Sequence, residues 1–223
     1  RLLAEEQLAD RASREVLRES ATVPDNYSLL KRSLGLYPLT SLGFRAGVSR
    51  WHQEVSERYA LELEALQPQG ELIRYRSADW SALEPWQVAD ILTRSAANPL
   101  AVPQPAAAEL NALFARFAPI YEIDTLSRDD RPGAPRWQGE AVVVDVSEPV
   151  VYRYVTYSRF KGRALLQLNY LLWFPARTSQ GSPDMLAGAL DGLVWRVTLR
   201  PDGRPLVYDT IHPCGCYHLL FPG

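Results

Sequence analysis

The sequence has few of the residues on which most specialised small domains depend. Among 223 residues there are two cysteines, three histidines and one methionine. Two cysteines cannot build a disulfide scaffold, and because these two lie within three residues of each other they close no long loop. Basic residues (24) and acidic residues (26) nearly cancel. A chain with this balance lacks the positive field that binds nucleic acid, so we expect no nucleic-acid partner.

Long apolar runs are absent as well. The longest apolar-rich stretch, residues 168–174, has the length of a strand, whereas a membrane-spanning helix needs ~20 apolar residues. Hydrophobic residues still make up 47% of the chain and charged residues 22%, which is the composition of a globular protein with a buried core. We therefore expect a soluble protein with no membrane span.

The period of the hydrophobic pattern changes along the chain. Up to residue 117 it has the three- and four-residue spacing of helices, and after Ile120 it shifts to the two-residue spacing of strands. The spacing predicts helices over about 2–17, 49–66, 84–98 and 106–117. It predicts strands at 142–146, 150–157, 165–174, 193–199 and 206–211. The connections between these strands are too short for helical crossovers. We therefore expect an α+β fold, with a helical N-terminal half followed by an antiparallel β-sheet of hairpins.

One proline-rich stretch is the best candidate for a linker. Pro99, Pro103 and Pro105 crowd residues 98–105, which carry few charges, and such composition is typical of connections between lobes. The sequence therefore predicts a mainly helical lobe over residues 1–98. A second domain, residues 99–223, would contain one helix and the antiparallel sheet.

The scarce residues are concentrated near the end of the sequence. Both cysteines and two of the three histidines alternate there, as His212, Cys214, Cys216 and His218. In a straight strand the first and last would lie ~20 Å apart, whereas zinc holds its ligands ~2.0–2.3 Å from one point. Pro213 and Gly215 are positions at which the strand could bend. A bend would gather these side chains around a zinc ion.

Our first hypothesis is therefore a metal-binding protein that catalyses metal-assisted hydrolysis of a small-molecule or peptide substrate. The metal ligands would be His212, Cys214, Cys216 and His218, and the cofactor zinc. Such a site lowers the pKa of a bound water. Asp209 or Asp191 would orient a ligand or accept the proton.

A second hypothesis uses the same residues without a metal. A thiol beside an imidazole ionises and attacks a carbonyl, as in thiol-nucleophile hydrolases and transferases. Asp209 or Asp191 would then orient the imidazole, and the backbone amide of Gly215 would help to bind the oxyanion. A reversible disulfide between Cys214 and Cys216 is a further option, strained by its small ring.

Two interpretations need no catalysis. In the first, both cysteines are small buried core residues and the histidines make ordinary hydrogen bonds at the sheet edge. In the second, the aromatic-rich sheet is a binding or assembly module that presents an apolar patch to a protein partner. Gln167 and Asn169 share one face of an apolar strand, where they either reach a pocket or satisfy each other and the adjacent backbone.

Overall fold

The chain forms two units. In the computed structural model, residues 12, 15–16, 37–177 and 187–223 are described, and the two units cover residues 1–68 and 69–223. The N-terminal unit contains helix α1 (Tyr37–Tyr59) and a 3-10 turn at Leu63–Ala65. The helix predicted over residues 2–17 lies almost wholly outside the described residues. Helix α1 begins well before the predicted start at residue 49 and ends before residue 66.

The C-terminal unit is a mixture of helices and antiparallel strands, so the α+β fold class is confirmed. Its described helices are α2 (Pro85–Ser95) and α3 (Ala107–Arg116). Its described strands are β1 (Glu71–Tyr75), β2 (Tyr121–Thr125), β3 (Ala134–Gln138), β4 (Ala141–Asp145), β5 (Tyr152–Phe160), β6 (Arg163–Arg177), β7 (Gly188–Leu199), β8 (Pro205–Ile211) and β9 (Leu219–Pro222). A predominantly helical N-terminal half is only loosely supported, because β1 already belongs to this part of the chain.

Strands β5 to β9 form one antiparallel sheet in chain order, and the other strands form two separate pairs, β1–β2 and β3–β4. The β5–β6 hairpin turns through Lys161 and Gly162, which both have positive φ angles of 48° and 76°. Two consecutive positive φ values match the right-handed twist of the flanking strands. The β7–β8 turn contains Gly203, with φ of 80°. Both turns contain residue types that favour hairpin turns, Lys161-Gly162 in the first and Pro201-Asp202-Gly203 in the second.

The core of the C-terminal unit lies between helices α2 and α3 and one face of the five-stranded sheet. Helix α2 contributes Val88, Ile91 and Leu92, and helix α3 contributes Leu113 and Phe114. The sheet contributes alternate residues of its two central strands, namely Leu166, Leu168, Tyr170, Val197 and Leu199. This alternation follows from the two-residue period of a strand. The residues between them therefore point to the opposite face of the sheet.

The predicted linker at residues 98–105 is an ordered loop inside the C-terminal unit. Pro103 and Pro105 are buried, and the Asn98 side chain donates to the carbonyl oxygens of Ser95 and Val102 at 3.0 and 2.7 Å. The division between units falls at Pro68 instead of residue 98. The physical reason is that the apolar side chains of α2 are covered by the sheet, so this helix belongs to the C-terminal unit.

Candidate functional site

A tight turn follows β8 and shapes the His/Cys cluster. The carbonyl oxygen of His212 accepts from the Gly215 amide at 2.8 Å, and the His212 amide donates to the Cys216 carbonyl oxygen at 3.0 Å. Gly215 has φ of 91°, a conformation that glycine adopts without steric cost. Pro213 is suited to the second position of the turn. The strand therefore bends at the two residues that the sequence indicated.

The bend places Cys214 against the imidazole of His212. Cys214 Sγ lies 2.7 Å from His212 Nδ1, and His212 Nε2 lies 2.8 Å from Asp191 Oδ1. The three side chains form one continuous chain from thiol to imidazole to carboxylate. Both cysteines are exposed, so the interpretation that they are buried core residues is wrong.

Hydrogen bonding fixes the tautomer of His212. The Cys214 amide donates to His212 Nδ1 at 3.1 Å, so Nδ1 is the unprotonated nitrogen. The proton is therefore on Nε2, which donates to Asp191. In this tautomer Nδ1 accepts from the Cys214 amide and also lies 2.7 Å from the thiol, whose proton it can take.

The turn stabilises negative charge on one of the two sulfurs. Hydrogen bonds from the Cys216 amide and the Cys216 thiol lower the pKa of the Cys214 thiol from 9.0 to about 7, and so does the His212 imidazolium that forms when Nδ1 takes the thiol proton. The pKa of Cys216 is raised, chiefly because its thiol hydrogen-bonds to Cys214. The two thiols are therefore chemically different, and Cys214 is the more acidic of the pair.

Asp191 is held next to the turn by the register of the sheet. Val194 pairs with Ile211, and continuing this register brings Pro213 close to Gly192. A Cβ atom added at Gly192 would lie only 2.7 Å from Pro213 Cγ, so glycine allows this close approach. The Gly192 amide also donates to Asp191 Oδ1 at 2.7 Å. These contacts orient the carboxylate toward His212.

The second histidine belongs to a different cluster. His218 Nε2 lies 3.1 Å from Asp209 Oδ1. The Asp209 side chain is only 2% exposed and forms a bidentate ion pair with Arg196, at 3.0 Å from Nε and 2.7 Å from Nη2. A buried carboxylate requires such compensation. Asp209 thus partners His218 and Arg196, while Asp191 partners His212.

The four predicted zinc ligands are therefore not gathered around one point. Each imidazole is held by a different aspartate, and within the described residues no group of three or more His, Cys, Asp or Glu side chains is placed to hold a metal ion. The zinc centre stays a prediction from the sequence. The Gly215 amide, expected to help bind an oxyanion, is instead used inside the turn.

A hydrogen-bonded row of polar side chains crosses the face of the sheet opposite the helices. Asn169 donates to Thr156 at 2.9 Å, Thr156 donates to Gln167 at 3.0 Å, and Gln167 donates to Thr198 at 2.9 Å. Asn169 also donates to the carbonyl oxygens of Tyr154 and Gln167. The pattern noted for Gln167 and Asn169 is thus largely one of mutual satisfaction, with two threonines as partners. Gln167 in addition lines a groove on this face.

Sequence reasoning did not identify Arg196 or Thr198. Both occupy outward positions of a regular alternating strand, where a polar residue is expected and gives no signal of its own. The Pro201–Gly203 turn alone would not have paired Arg196 with Asp209, because the register of the β7–β8 hairpin shifts by one residue between Thr198 and Leu199.

Comparisons with protein-family models, curated proteins and solved structures give no match. Among the helices in the described part of the chain, none has the length and apolar character to cross a membrane.

Proposed function

We propose that the protein is a thiol-nucleophile enzyme, a hydrolase or transferase, in which Cys214 attacks the substrate. The observation that supports this proposal is the hydrogen-bonded chain from Cys214 through His212 to Asp191, with contacts of 2.7 and 2.8 Å. A nucleophile, a base within hydrogen-bonding reach and a third group that orients the base are the arrangement that activates a side chain for covalent catalysis.

In the proposed reaction, His212 Nδ1 takes the thiol proton as Cys214 Sγ forms a bond to an acyl carbon. Asp191 stabilises the resulting imidazolium. The imidazolium then returns its proton to the leaving group as the carbonyl reforms, which leaves an acyl group on Cys214. Water or another nucleophile, deprotonated by His212, releases the acyl group and restores the thiol. Hydrolase and transferase differ only in this second nucleophile.

This proposal accounts for the geometry better than metal-assisted hydrolysis does. A zinc centre would need His212 and His218 to converge on a common point, whereas each imidazole lies against a different aspartate. Nucleophilic catalysis uses the His212 contacts as they stand. The exposure of both sulfurs is also what a nucleophile requires.

The proposal is tested by trapping the covalent intermediate. The protein is incubated with p-nitrophenyl acetate, and acetylation is followed by intact-mass and fragment mass spectrometry. We expect an acetyl group on Cys214, lost in Cys214→Ser and retained in the matched control Cys216→Ser. Asp191→Asn should slow its formation, because the imidazolium loses its counter-charge. Equal acetylation of both cysteines, or none, would contradict the proposal.

Thiol–disulfide exchange is a second candidate, favoured by the contact between the two thiols. A Cys214 thiolate attacks one sulfur of a substrate disulfide, the other sulfur leaves as a thiolate, and Cys216 then attacks the mixed disulfide to release the second thiol. Attacking thiols react best when their pKa is near the ambient pH, as that of Cys214 is. With glutathione disulfide as substrate, this candidate requires that Cys216→Ser accumulate a mixed disulfide on Cys214 that the native protein resolves.

A further inference from the structure

A groove of about 250 Å³ lies on the polar face of the five-stranded sheet. It shares no residue with the chain formed by Cys214, His212 and Asp191. Its volume is just below the ~300–1,000 Å³ of pockets that hold drug-sized ligands. The size therefore suits a small molecule better than a polymer.

The floor of the groove is polar and buried. Thr198 and Asp209 are each 2% exposed and Gln167 is 8% exposed. Polar groups are rarely placed at such depth unless they are hydrogen-bonded or serve a ligand. In these three side chains, the hydrogen bonds that form use only some of the donors and acceptors.

Most of the hydrogen-bonding groups that remain unused around the groove are donors. The Thr198 hydroxyl accepts from Gln167, and among the described residues its own proton has no acceptor. Gln167 uses one of its two amide protons in the same contact. Arg196 directs Nε and Nη2 at Asp209, so the Nη1 protons remain available, since a guanidinium carries five N–H donors. A complementary ligand must therefore offer acceptor oxygens.

The charges of the lining favour an anion with a single charge. Two arginines, Arg159 and Arg196, face one carboxylate, Asp209, around the groove. Asp209 is paired with Arg196, whereas Arg159 has no acidic partner among the described residues. A carboxylate is matched by this excess of one positive charge, and its two oxygens suit guanidinium donors.

The remaining walls of the groove are apolar. Phe160, Leu165, Val207 and Leu220 line it beside the polar floor. Leu220 is 62% exposed and Phe160 is 46% exposed, so contact with an apolar ligand would remove hydrocarbon from water. These walls provide space for a short aliphatic or aromatic tail.

We propose that this groove binds a small monocarboxylic acid, with the carboxylate toward Arg159, Arg196 and Thr198 and the apolar tail against Leu165 and Leu220. The groove is a binding site in its own right and does not depend on the proposed chemistry of Cys214.

The test uses hexanoate as the probe and isothermal titration calorimetry as the measurement. For a ligand of this size we expect a dissociation constant of about 1 mM. Hexanamide and hexan-1-ol, which keep the tail without the charge, should bind at least ~10-fold more weakly because charge-assisted hydrogen bonds are lost. No binding of hexanoate, or equal binding of hexanamide, overturns the proposal.

Matched variants locate the site. Leu220→Trp should fill the groove and abolish binding, whereas Leu126→Trp, at a leucine that is 63% exposed elsewhere, should leave it unchanged. Arg159→Gln should weaken hexanoate binding at least ~10-fold, and Arg163→Gln, an exposed arginine of the same hairpin, should not. Thermal unfolding of each variant checks that it is folded. Loss of binding in the two control variants to the same extent would place the ligand elsewhere and contradict the assignment.

Discussion

Selective ionisation of one thiol is the property of the candidate site that is most directly measurable. Cys214 has its pKa lowered from 9.0 to about 7, by the Cys216 amide, the Cys216 thiol and His212. Because the pKa is lowered, the thiolate persists at neutral pH and is lost as the pH falls through about 7. Alkylation by iodoacetamide, which needs the thiolate, should follow the same curve. Its rate should rise from pH 5 and level off above about pH 8.

The structure also gives the size of the effect. At pH 7 a thiol with a pKa of about 7 is half ionised, whereas one with a pKa of 9.0 is ~1% ionised, an excess of ~50-fold in thiolate. The lower basicity makes each thiolate less nucleophilic, by ~6- to 10-fold over two pKa units at a Brønsted slope of ~0.4–0.5. We therefore expect Cys214 to react ~5- to 8-fold faster at pH 7 than an ordinary thiol.

The measurement is made on Cys216→Ser, because a serine hydroxyl can still donate to the thiolate and the residue 216 amide is kept. Cys214→Ser, with Cys216 as its only thiol, is the matched control and should titrate near the ordinary value of 9.0. Adding His212→Ala to Cys216→Ser should raise the midpoint and slow the reaction at pH 7, without returning it fully to 9.0, since the amide contributes most. A midpoint near 9 for Cys214, or equal rates for the two thiols at pH 7, would refute the reasoning.

Three other predictions concern stability and composition. Leu168→Ala removes a fully buried core side chain and should lower the free energy of unfolding by ~2–5 kcal/mol in urea titrations. Leu220→Ala, at an exposed position, should change this free energy by less than ~0.5 kcal/mol. Similar losses in the two variants would contradict the assigned core. By the same measurement, Gly203→Ala should destabilise the protein more than Gly162→Ala. Both glycines have positive φ, which costs an alanine ~1–2 kcal/mol of strain. Only at Gly203 would a Cβ atom also collide with the Pro85 carbonyl oxygen. Protein purified without a metal-affinity tag should contain substoichiometric zinc by elemental analysis; one zinc per chain that is lost in His212→Ala would instead support the metal centre.

The central strands could be predicted because their core-facing apolar residues recur at every second position. In β6 and β7 every second residue faces the helices, and this pattern is visible in the sequence. Strand β1 is short and largely exposed, β3 contains Pro135, and β9 has only four residues. Their pairing depends on partners distant in the sequence, so local pattern carries little signal for them.

The sequence indicates which residue types lie in the candidate site, but not which of them form hydrogen bonds with each other. The rarity of histidine and cysteine drew attention to residues 212–218, and Pro213 and Gly215 indicated the bend that the structure contains. Which aspartate meets which histidine depends on the registers of β7, β8 and β9 and on the turns between them. Asp191 lies 21 residues from His212 along the chain, and nothing local links them. The buried pair of Asp209 and Arg196 is likewise a consequence of cross-strand register.

Strand β8 presents functionally different side chains on the two faces of the sheet. Tyr208 packs against the core on the helix side and stacks on Trp195 at 5.6 Å between ring centroids, while its neighbour Asp209 lines the groove. Inserting or deleting one residue in this strand would send the aromatic ring to the groove and the carboxylate into the hydrocarbon interior, and would also shift the turn that follows. Evolution could therefore vary the length of this protein at the hairpin tips, such as Lys161 and Gly162, far more freely than within β8.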